Sequence, residues 1–120
     1  MLNLDTHILL HALHGDLAAG EHRLLTADGD WGISAIVLWE IEKLHQKGRI
    51  PHGLDYAPLA AALLRLHVWP LTAEVCLNLR ALDFASDPAD ELIAATSLTH
   101  RVPLVTRDAR IRVSQVIQCL

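Results

Sequence analysis

Short apolar runs alternate with longer stretches of helical periodicity along this chain of 120 residues. The alternation is typical of βα units, because two parallel strands need a crossover between them and that crossover is usually a helix. We predict strands over 2–4, 31–34, 68–71 and 102–106, and the C-terminal run over 116–120 is a candidate for a fifth. The predicted fold class is therefore α/β, a three-layer α/β/α sandwich with a central parallel sheet of four to five strands.

Several of the helices between these strands have recognisable ends. Ser34 can cap a helix that runs from residue 35 towards Gly48. Asp87 can cap another, with Pro88 at its first helical position. Pro70 indicates an edge position for the third strand, because proline cannot donate to a central ladder. Further helices are predicted from His7 to breaks at Gly15 and Gly20, over 56–67, and from Thr72 to about Leu82.

Length and composition predict one globular domain over 1–120. The apolar fraction of 52% excludes a disordered chain. Cys76 and Cys119 lie far apart and outside any C-x-x-C pattern, so we expect reduced thiols in a cytoplasmic protein. No basic region precedes Leu2 and no apolar stretch reaches transmembrane length, so we expect neither export nor membrane insertion.

The charge of the chain is uneven. A formal net charge of −4 argues against a globally basic nucleic-acid binder. Four arginines nevertheless surround Asp108, namely Arg101, Arg107, Arg110 and Arg112. Singly each is an ordinary solvated side chain, but as a group they could hold phosphates beside the acid.

Two acids stand at the ends of predicted strands. Asp5 directly follows the first strand, and Asp108 comes shortly after the fourth. Each also has an ordinary structural interpretation, Asp5 as a helix N-cap and Asp108 as a turn residue. The first and fourth strands can be neighbours in a right-handed βαβ sheet, and the carboxyl ends of parallel strands meet at one edge. The two carboxylates can therefore lie close together.

Two more acids lie on helices that should pack against the sheet. Glu40 projects from the apolar side of the helix over 35–47, where an ionised carboxylate is costly unless it is paired or binds a metal. A structural salt bridge to an arginine is the alternative. Asp90 opens a helix that continues as "LIAATSL", which is apolar nearly all round. With Asp87 it also resembles a capping box near the positive end of the helix dipole.

Taken together, the four acids predict a metal site. Converging carboxylates repel one another strongly unless a divalent cation neutralises them. Ligands that are all oxygen favour Mg²⁺ or Mn²⁺ over zinc. Such a site suits the hydrolysis of phosphodiesters, since the cation polarises the phosphate and lowers the pKa of a bound water.

Five stretches also carry a resemblance to a known family: "LNLDTHILL", "SAIVLWEIEKLHQKGRI", "LTAEV", "DPADELIAATSL" and "PLVTRDARI". In this order they resemble the PIN-domain ribonucleases, and more narrowly the VapC-type toxins of prokaryotic toxin–antitoxin pairs. The resemblance covers nearly the whole chain. It implies a PIN-like fold, Mg²⁺- or Mn²⁺-dependent endonucleolytic cleavage of single-stranded RNA, a homodimer, and inhibition by a small antitoxin protein.

The resemblance also implies roles for individual residues. Asp5, Glu40, Asp90 and Asp108 fall on the family's acidic quartet. Asp5 and Asp90 are implied as direct metal ligands, while Asp108 and Glu40 complete the set directly or through water and orient the nucleophile. Thr106 matches a Ser or Thr that supports the site. There are two departures: Glu91 stands where similar proteins commonly have an arginine, and His11 stands where they often have an aromatic residue.

The histidines provide a competing interpretation. His7, His11 and His14 follow i, i+4, i+7 spacing, which places three imidazoles on one helix face and is compatible with a zinc or nickel site. A closed site would need a further ligand, and incidental histidines on a partly exposed face are the simpler interpretation. His7 also lies beside the predicted acidic site, and with Arg107 and Arg110 it is a candidate for substrate contact.

Two other classes of protein remain as alternatives. A receiver-like signalling domain is also α/β and binds Mg²⁺ in an acidic pocket. It would need adjacent acids after the first strand and a lysine after a late one, whereas this chain has the lone Asp5 and Arg107. A non-catalytic module that binds RNA or protein is the second alternative.

Overall fold

The computed structural model describes all of residues 1–120. It contains four strands and seven α-helices, and a short 3-10 turn over Asn78–Ala81 follows the fifth helix. The elements in chain order are β1 (Leu2–Leu4), α1 (Thr6–His14), α2 (Ala19–Asp28), β2 (Trp31–Ser34), α3 (Ala35–Gln46), α4 (Ala57–Leu63), β3 (His67–Trp69), α5 (Ala73–Leu77), α6 (Pro88–His100), β4 (Leu104–Val105) and α7 (Ala109–Arg112). None of the helices has the length and apolarity needed to cross a membrane.

The four strands form one parallel sheet in the order β3-β2-β1-β4. β1 pairs with β2 on one side, where Leu2 is opposite Trp31, and with β4 on the other, where Leu4 is opposite Val105. The predicted α/β/α fold class is confirmed, and so is the edge position of the strand before Pro70. Because β1 and β4 are neighbours and parallel, the residues that follow them leave the sheet at the same edge.

The C-terminal run does not add a full fifth strand. It makes a single parallel bridge, Leu104 with Cys119, on the free side of β4. The backbone N–H of Leu104 donates to the carbonyl of Gln118 at 2.8 Å, and the N–H of Leu120 donates to the carbonyl of Leu104 at 3.1 Å. This short pairing covers the edge of the sheet beside β4.

Some predicted boundaries were wrong. The helix expected over 56–67 ends at Leu63, and β3 begins at His67 and stops before Pro70. Gly20 does not break a helix, since it lies inside α2. The break falls at Gly15, which closes α1 with a φ of 72°, a conformation that glycine adopts without strain.

The core lies between the sheet and the helices packed on it. Its fully buried members include Leu4, Ile33, Val37, Ile93 and Leu104. Polar side chains are buried as well, among them Asn3 of β1, whose Nδ2 donates to the carbonyl of Ile93 at 3.1 Å and to Ser97 Oγ at 2.9 Å. Both partners are on α6, so Asn3 fixes that helix against the central strand.

Candidate active site

Asp5 lies where the chain leaves β1 and enters α1. Its side chain is 5% exposed. Its Oδ1 accepts the backbone N–H of Thr6 at 2.7 Å, and its Oδ2 accepts the hydroxyl of Thr106 at 2.6 Å. Asp5 is therefore a helix N-cap, as its ordinary interpretation predicted, and it is also a buried carboxylate at the carboxyl edge of the sheet.

Glu40 reaches the same edge from α3. It is half-buried, and the hydroxyl of Thr6 donates a hydrogen bond to its Oε1. The ion pairs of the chain do not include Glu40, so the arginine salt bridge considered as an alternative is not formed. Its position on the inner side of the helix follows from its neighbours Val37 and Ile41, both fully buried.

Asp90 lies in the first turn of α6. It does not form the predicted capping box with Asp87, whose side chain makes no capping bond. Instead the hydroxyl of Ser86 donates to Asp90 Oδ2 at 3.1 Å. Glu91 bonds the chain just before the helix: its Oε2 accepts the backbone N–H of Ser86 at 2.9 Å.

Three of the four predicted acids form one cluster. A carboxylate oxygen from each of Asp5, Glu40 and Asp90 lies within 4.8 Å of the other two. Asp108 is not part of this triplet but lines the same cavity of about 360 Å³ as Asp5 and Asp90. Its Oδ1 accepts the backbone N–H groups of Arg110 at 2.8 Å and Ile111 at 3.2 Å, so it also caps α7.

Each carboxylate of the triplet accepts a hydrogen bond from one hydroxyl. Thr106 donates to Asp5, Thr6 to Glu40 and Ser86 to Asp90. Sequence reasoning identified only Thr106. Thr6 and Ser86 stand beside an N-cap in the sequence, which is common for hydroxyl residues, so no sequence signal set them apart.

The comparisons with known proteins agree with this geometry. A scan against protein-family models matches the PIN domain over residues 3–115. The chain belongs to the PIN-domain family. That assignment excludes the receiver-like alternative. No curated protein matches the sequence at a significant level.

Several solved structures share the fold of this PIN domain. A chain of the VapBC2 structure from Rickettsia felis, bound to a DNA fragment from their promoter, matches with a TM-score of 0.79 and 20% identity, over 100% of this chain and 98% of that chain. A chain of a toxin–antitoxin complex from Klebsiella pneumoniae matches with a TM-score of 0.74 and 19% identity, over 98% of this chain and 95% of that chain. A chain of DNA-bound VapBC from Salmonella typhimurium matches with a TM-score of 0.73 and 18% identity, over 99% of this chain and 96% of that chain.

The negative charges of the carboxylates in this PIN domain repel one another. The pKa of Asp90 is raised to about 6, first because the carboxyl is partly removed from water, and further by the charges of Asp5, Glu40 and Asp108. The hydrogen bond from Ser86 opposes this rise. A bound divalent cation would favour the ionised form of Asp90 and offset the repulsion among these carboxylates.

This shift predicts a pH-dependent effect of Asp90→Asn on the metal-free protein. The pKa of Asp90 in the folded protein lies above the usual aspartate value of 3.8, so ionisation of Asp90 destabilises the fold as the pH rises from about 3.8 through about 6. At pH 7.5 we expect the variant to have the larger free energy of unfolding. Its advantage should shrink as the pH falls below 6, as measured by urea unfolding in EDTA.

Asp87→Asn is the matched control, because it makes the same change one turn earlier on an exposed side chain without a capping bond. It should show no comparable pH dependence. A variant Asp90→Asn that is destabilised by the same amount at every pH would contradict the raised pKa of Asp90.

One wall of the cavity is cationic and imidazole-rich. It is formed by His7, His11 and Arg107. Arg107 donates from Nε and Nη2 to the two carboxylate oxygens of Glu21, at 2.7 and 2.6 Å. These bonds lower the pKa of Glu21 to about 2. Arg107 is therefore held at the mouth of the cavity by α2.

The histidines do not form a metal site of their own. Arg107 Nη1 donates to His11 Nε2 at 3.0 Å, so the proton of a neutral His11 is on Nδ1, which bonds Asp16 at 2.9 Å. His14 Nδ1 bonds the carbonyl of Leu10 at 2.7 Å. With both ring nitrogens of His11 engaged, the three imidazoles do not converge on one ion.

The arginines near Asp108 do not form one patch either. Only Arg107 lines the cavity. Arg110 donates to the carbonyl of Ala85 at 2.8 Å, Arg112 donates to the carbonyls of Thr106 and Leu120, and Arg101 ends α6 with a φ of 55°. The four lie close together in the sequence, but Arg101 ends α6, and Arg107, Arg110 and Arg112 bond different partners.

Proposed function

We propose that this PIN domain is a divalent-metal-dependent endoribonuclease that cleaves single-stranded RNA and acts as the toxin of a toxin–antitoxin pair. The observation that carries the proposal is the triplet of Asp5, Glu40 and Asp90, whose oxygens lie within 4.8 Å of one another at the carboxyl edge of the sheet. Ligand and reaction sites of open α/β sheets are found at this edge.

The donor set fits a hard divalent cation. The triplet offers only carboxylate oxygens, which favour Mg²⁺ or Mn²⁺ over softer metals. Asp5, Glu40 and Asp90 would hold the ion, and Asp108 would complete the site directly or through water. When bound, the cation supplies Lewis-acid polarisation of a phosphate and lowers the pKa of a water molecule.

Proton transfer and the orientation of the carboxylates are proposed for residues of the chain itself. The hydrogen bonds of Asp108 both go to Oδ1, which leaves its Oδ2 to accept a proton from water in the cavity. Thr106 and Thr6 fix the orientation of Asp5 and Glu40. The hydroxyls thereby hold the carboxylates in place before the substrate arrives.

Contacts to the RNA are proposed for the cationic wall. Arg107 and the exposed His7 line the cavity and can face a phosphate next to the scissile one. Arg110 does not line the cavity and donates to the carbonyl of Ala85, so it is proposed only as positive charge beside the loop that carries Ser86.

Arg107→Ala tests the phosphate contact. A charge-assisted bond of about 1.5–3 kcal/mol corresponds to a rise in KM of about tenfold or more, with kcat little changed. Arg23→Ala, which removes an exposed arginine of α2, is the control and should leave KM unchanged. Steady-state kinetics on a short RNA gives both constants. A fall in kcat at constant KM would instead place Arg107 in the chemical step.

The proposed partners are a cognate antitoxin and a second copy of the chain. The support is that the similar structures above are described as VapBC and toxin–antitoxin complexes. Induction of the chain in a bacterial host should arrest growth, and Asp5→Asn should not. Light scattering of the purified protein should give the mass of a dimer. Unimpaired growth at full expression would contradict the toxin role.

The nuclease proposal is tested with purified, antitoxin-free protein and a pool of single-stranded RNAs. Cleavage in Mg²⁺ or Mn²⁺ that EDTA abolishes, and that Asp5→Asn and Asp90→Asn both lack, is the expected result. The absence of cleavage under any metal, with folded protein, would favour the non-catalytic binding module. Cleavage that survives both substitutions would contradict the assignment of the site.

A further inference from the structure

Ser86 is the one hydroxyl donor of the site that neither belongs to a helix or strand nor directly adjoins one. Thr106 follows β4 directly and Thr6 opens α1, so both are fixed by regular structure. Ser86 precedes the N-cap of α6, outside any helix or strand, yet its side chain is half-buried and its Oγ donates to Asp90 Oδ2 at 3.1 Å. Something else must hold this serine in place.

Glu91 provides that support. Its Oε2 accepts the backbone N–H of Ser86 at 2.9 Å, which ties the loop to the first turn of α6. Asp87, the N-cap itself, makes no side-chain capping bond, so the start of this helix is organised by Glu91. An arginine at this position could not accept that N–H, because a guanidinium has no acceptor.

Asp90 needs this support more than Asp5 does. Asp5 accepts two hydrogen bonds and is nearly buried, whereas Ser86 is the only group that donates to the Asp90 carboxylate. Asp5 and Glu40 both bring negative charge within 4.8 Å of it. Without a donor on Oδ2, the carboxylate is free to rotate away from that charge.

We infer that Ser86, held by Glu91, is a positioning residue that orients Asp90 and thereby sets the affinity of the site for a divalent cation. The inference rests on the proposed metal site. It assigns a role to Glu91, one of the two residues at which the sequence departs from the resemblance. Oδ2 of Asp90 accepts the serine hydroxyl, which leaves Oδ1 free to bind a cation.

The test measures Mn²⁺ binding directly, without RNA, by the electron paramagnetic resonance signal of free Mn²⁺ at pH 7.5. Loss of an outer-shell hydrogen bond typically weakens metal affinity about 10- to 100-fold, and we expect about tenfold for Ser86→Ala. Ser86→Thr keeps the hydroxyl and should bind within about twofold of the parent. Glu91→Ala should be weakened, while Glu91→Gln keeps an acceptor oxygen and should be close to the parent.

Ser114→Ala is the matched control. It removes a hydroxyl that donates to an exposed carboxylate, Asp83, away from the cavity. Its Mn²⁺ affinity should equal that of the parent. Thermal unfolding in EDTA checks that every variant is folded.

The outcomes separate this inference from the proposed function. If the parent binds Mn²⁺ and Ser86→Ala binds it equally well, the positioning role is overturned while the metal site stands. If Ser86→Thr or Ser114→Ala is weakened as much as Ser86→Ala, the effect is structural and the role is likewise overturned. A parent that binds no Mn²⁺ overturns the proposed metal site itself, and this inference with it.

Discussion

Asp5→Asn is expected to lower the rate of RNA cleavage by about a thousandfold. The carboxylate belongs to the triplet and is held by two hydrogen bonds, from Thr6 and Thr106. A neutral amide removes the negative charge that binds the cation but keeps the shape of the side chain. Loss of several kcal/mol of transition-state stabilisation corresponds to about three orders of magnitude in rate. Single-turnover cleavage at saturating protein isolates this effect from RNA binding.

The variant should remain folded, because asparagine is also a good N-cap and can still accept the N–H of Thr6. Its urea unfolding in EDTA should show no large loss of stability, since a buried charge has been removed. Asp55→Asn, on an exposed residue outside the cavity, is the control and should cleave like the parent. A folded Asp5→Asn variant with most of the parent's rate would contradict the role of the triplet.

Thr106→Val is expected to have the second largest effect. The Thr106 hydroxyl donates to Asp5 Oδ2 at 2.6 Å and accepts the backbone N–H of Asp108 at 3.0 Å, and the residue is 2% exposed. Valine has the same shape and can make neither bond. We expect cleavage to fall by about 10- to 100-fold, as for other losses of a hydrogen bond to a metal ligand, and the free energy of unfolding to fall by about 1–3 kcal/mol.

Thr96→Val is the control for this change. Thr96 is equally buried, and its hydroxyl bonds only the carbonyl of Leu92 within α6. It should lose little activity and little stability. If both threonines gave the same small loss of activity, the Thr106 hydroxyl would have no special connection to the site.

The architecture was predictable because strong local signals agreed with one another. Apolar runs marked the strands, and Ser34 capped α3 through a bond to the N–H of Ile36, as expected. The parallel order then placed the ends of β1 and β4 side by side, which brought Asp5 and Asp108 to one edge. For Asp5 the ordinary interpretation as an N-cap was also right. Asp108, which was expected as a turn residue, instead caps α7 while lining the cavity.

The predictions that failed concerned which groups form hydrogen bonds with one another. The capping box at α6 was predicted for Asp87 and Asp90. In the structure Glu91 accepts the backbone N–H of Ser86, and the hydroxyl of Ser86 donates to Asp90. The arginines do not form one group, because Arg107 bonds Glu21 of α2, which is 86 residues away in the sequence. No pattern in the sequence predicts such pairings, since the packed fold determines which hydrogen-bond partners meet.

The central claim is that these carboxylates, with a divalent cation, direct water onto the phosphodiester. The most direct measurement is the mass of the new RNA ends after a single cleavage. Attack by water leaves the ribose 2′-hydroxyl out of the reaction, so the account predicts hydroxyl and linear phosphate ends that form only with Mg²⁺ or Mn²⁺. Cyclic 2′,3′-phosphate ends that also form in EDTA would contradict it. They would point instead to acid–base catalysis by groups such as His7 and His11 at the cavity wall.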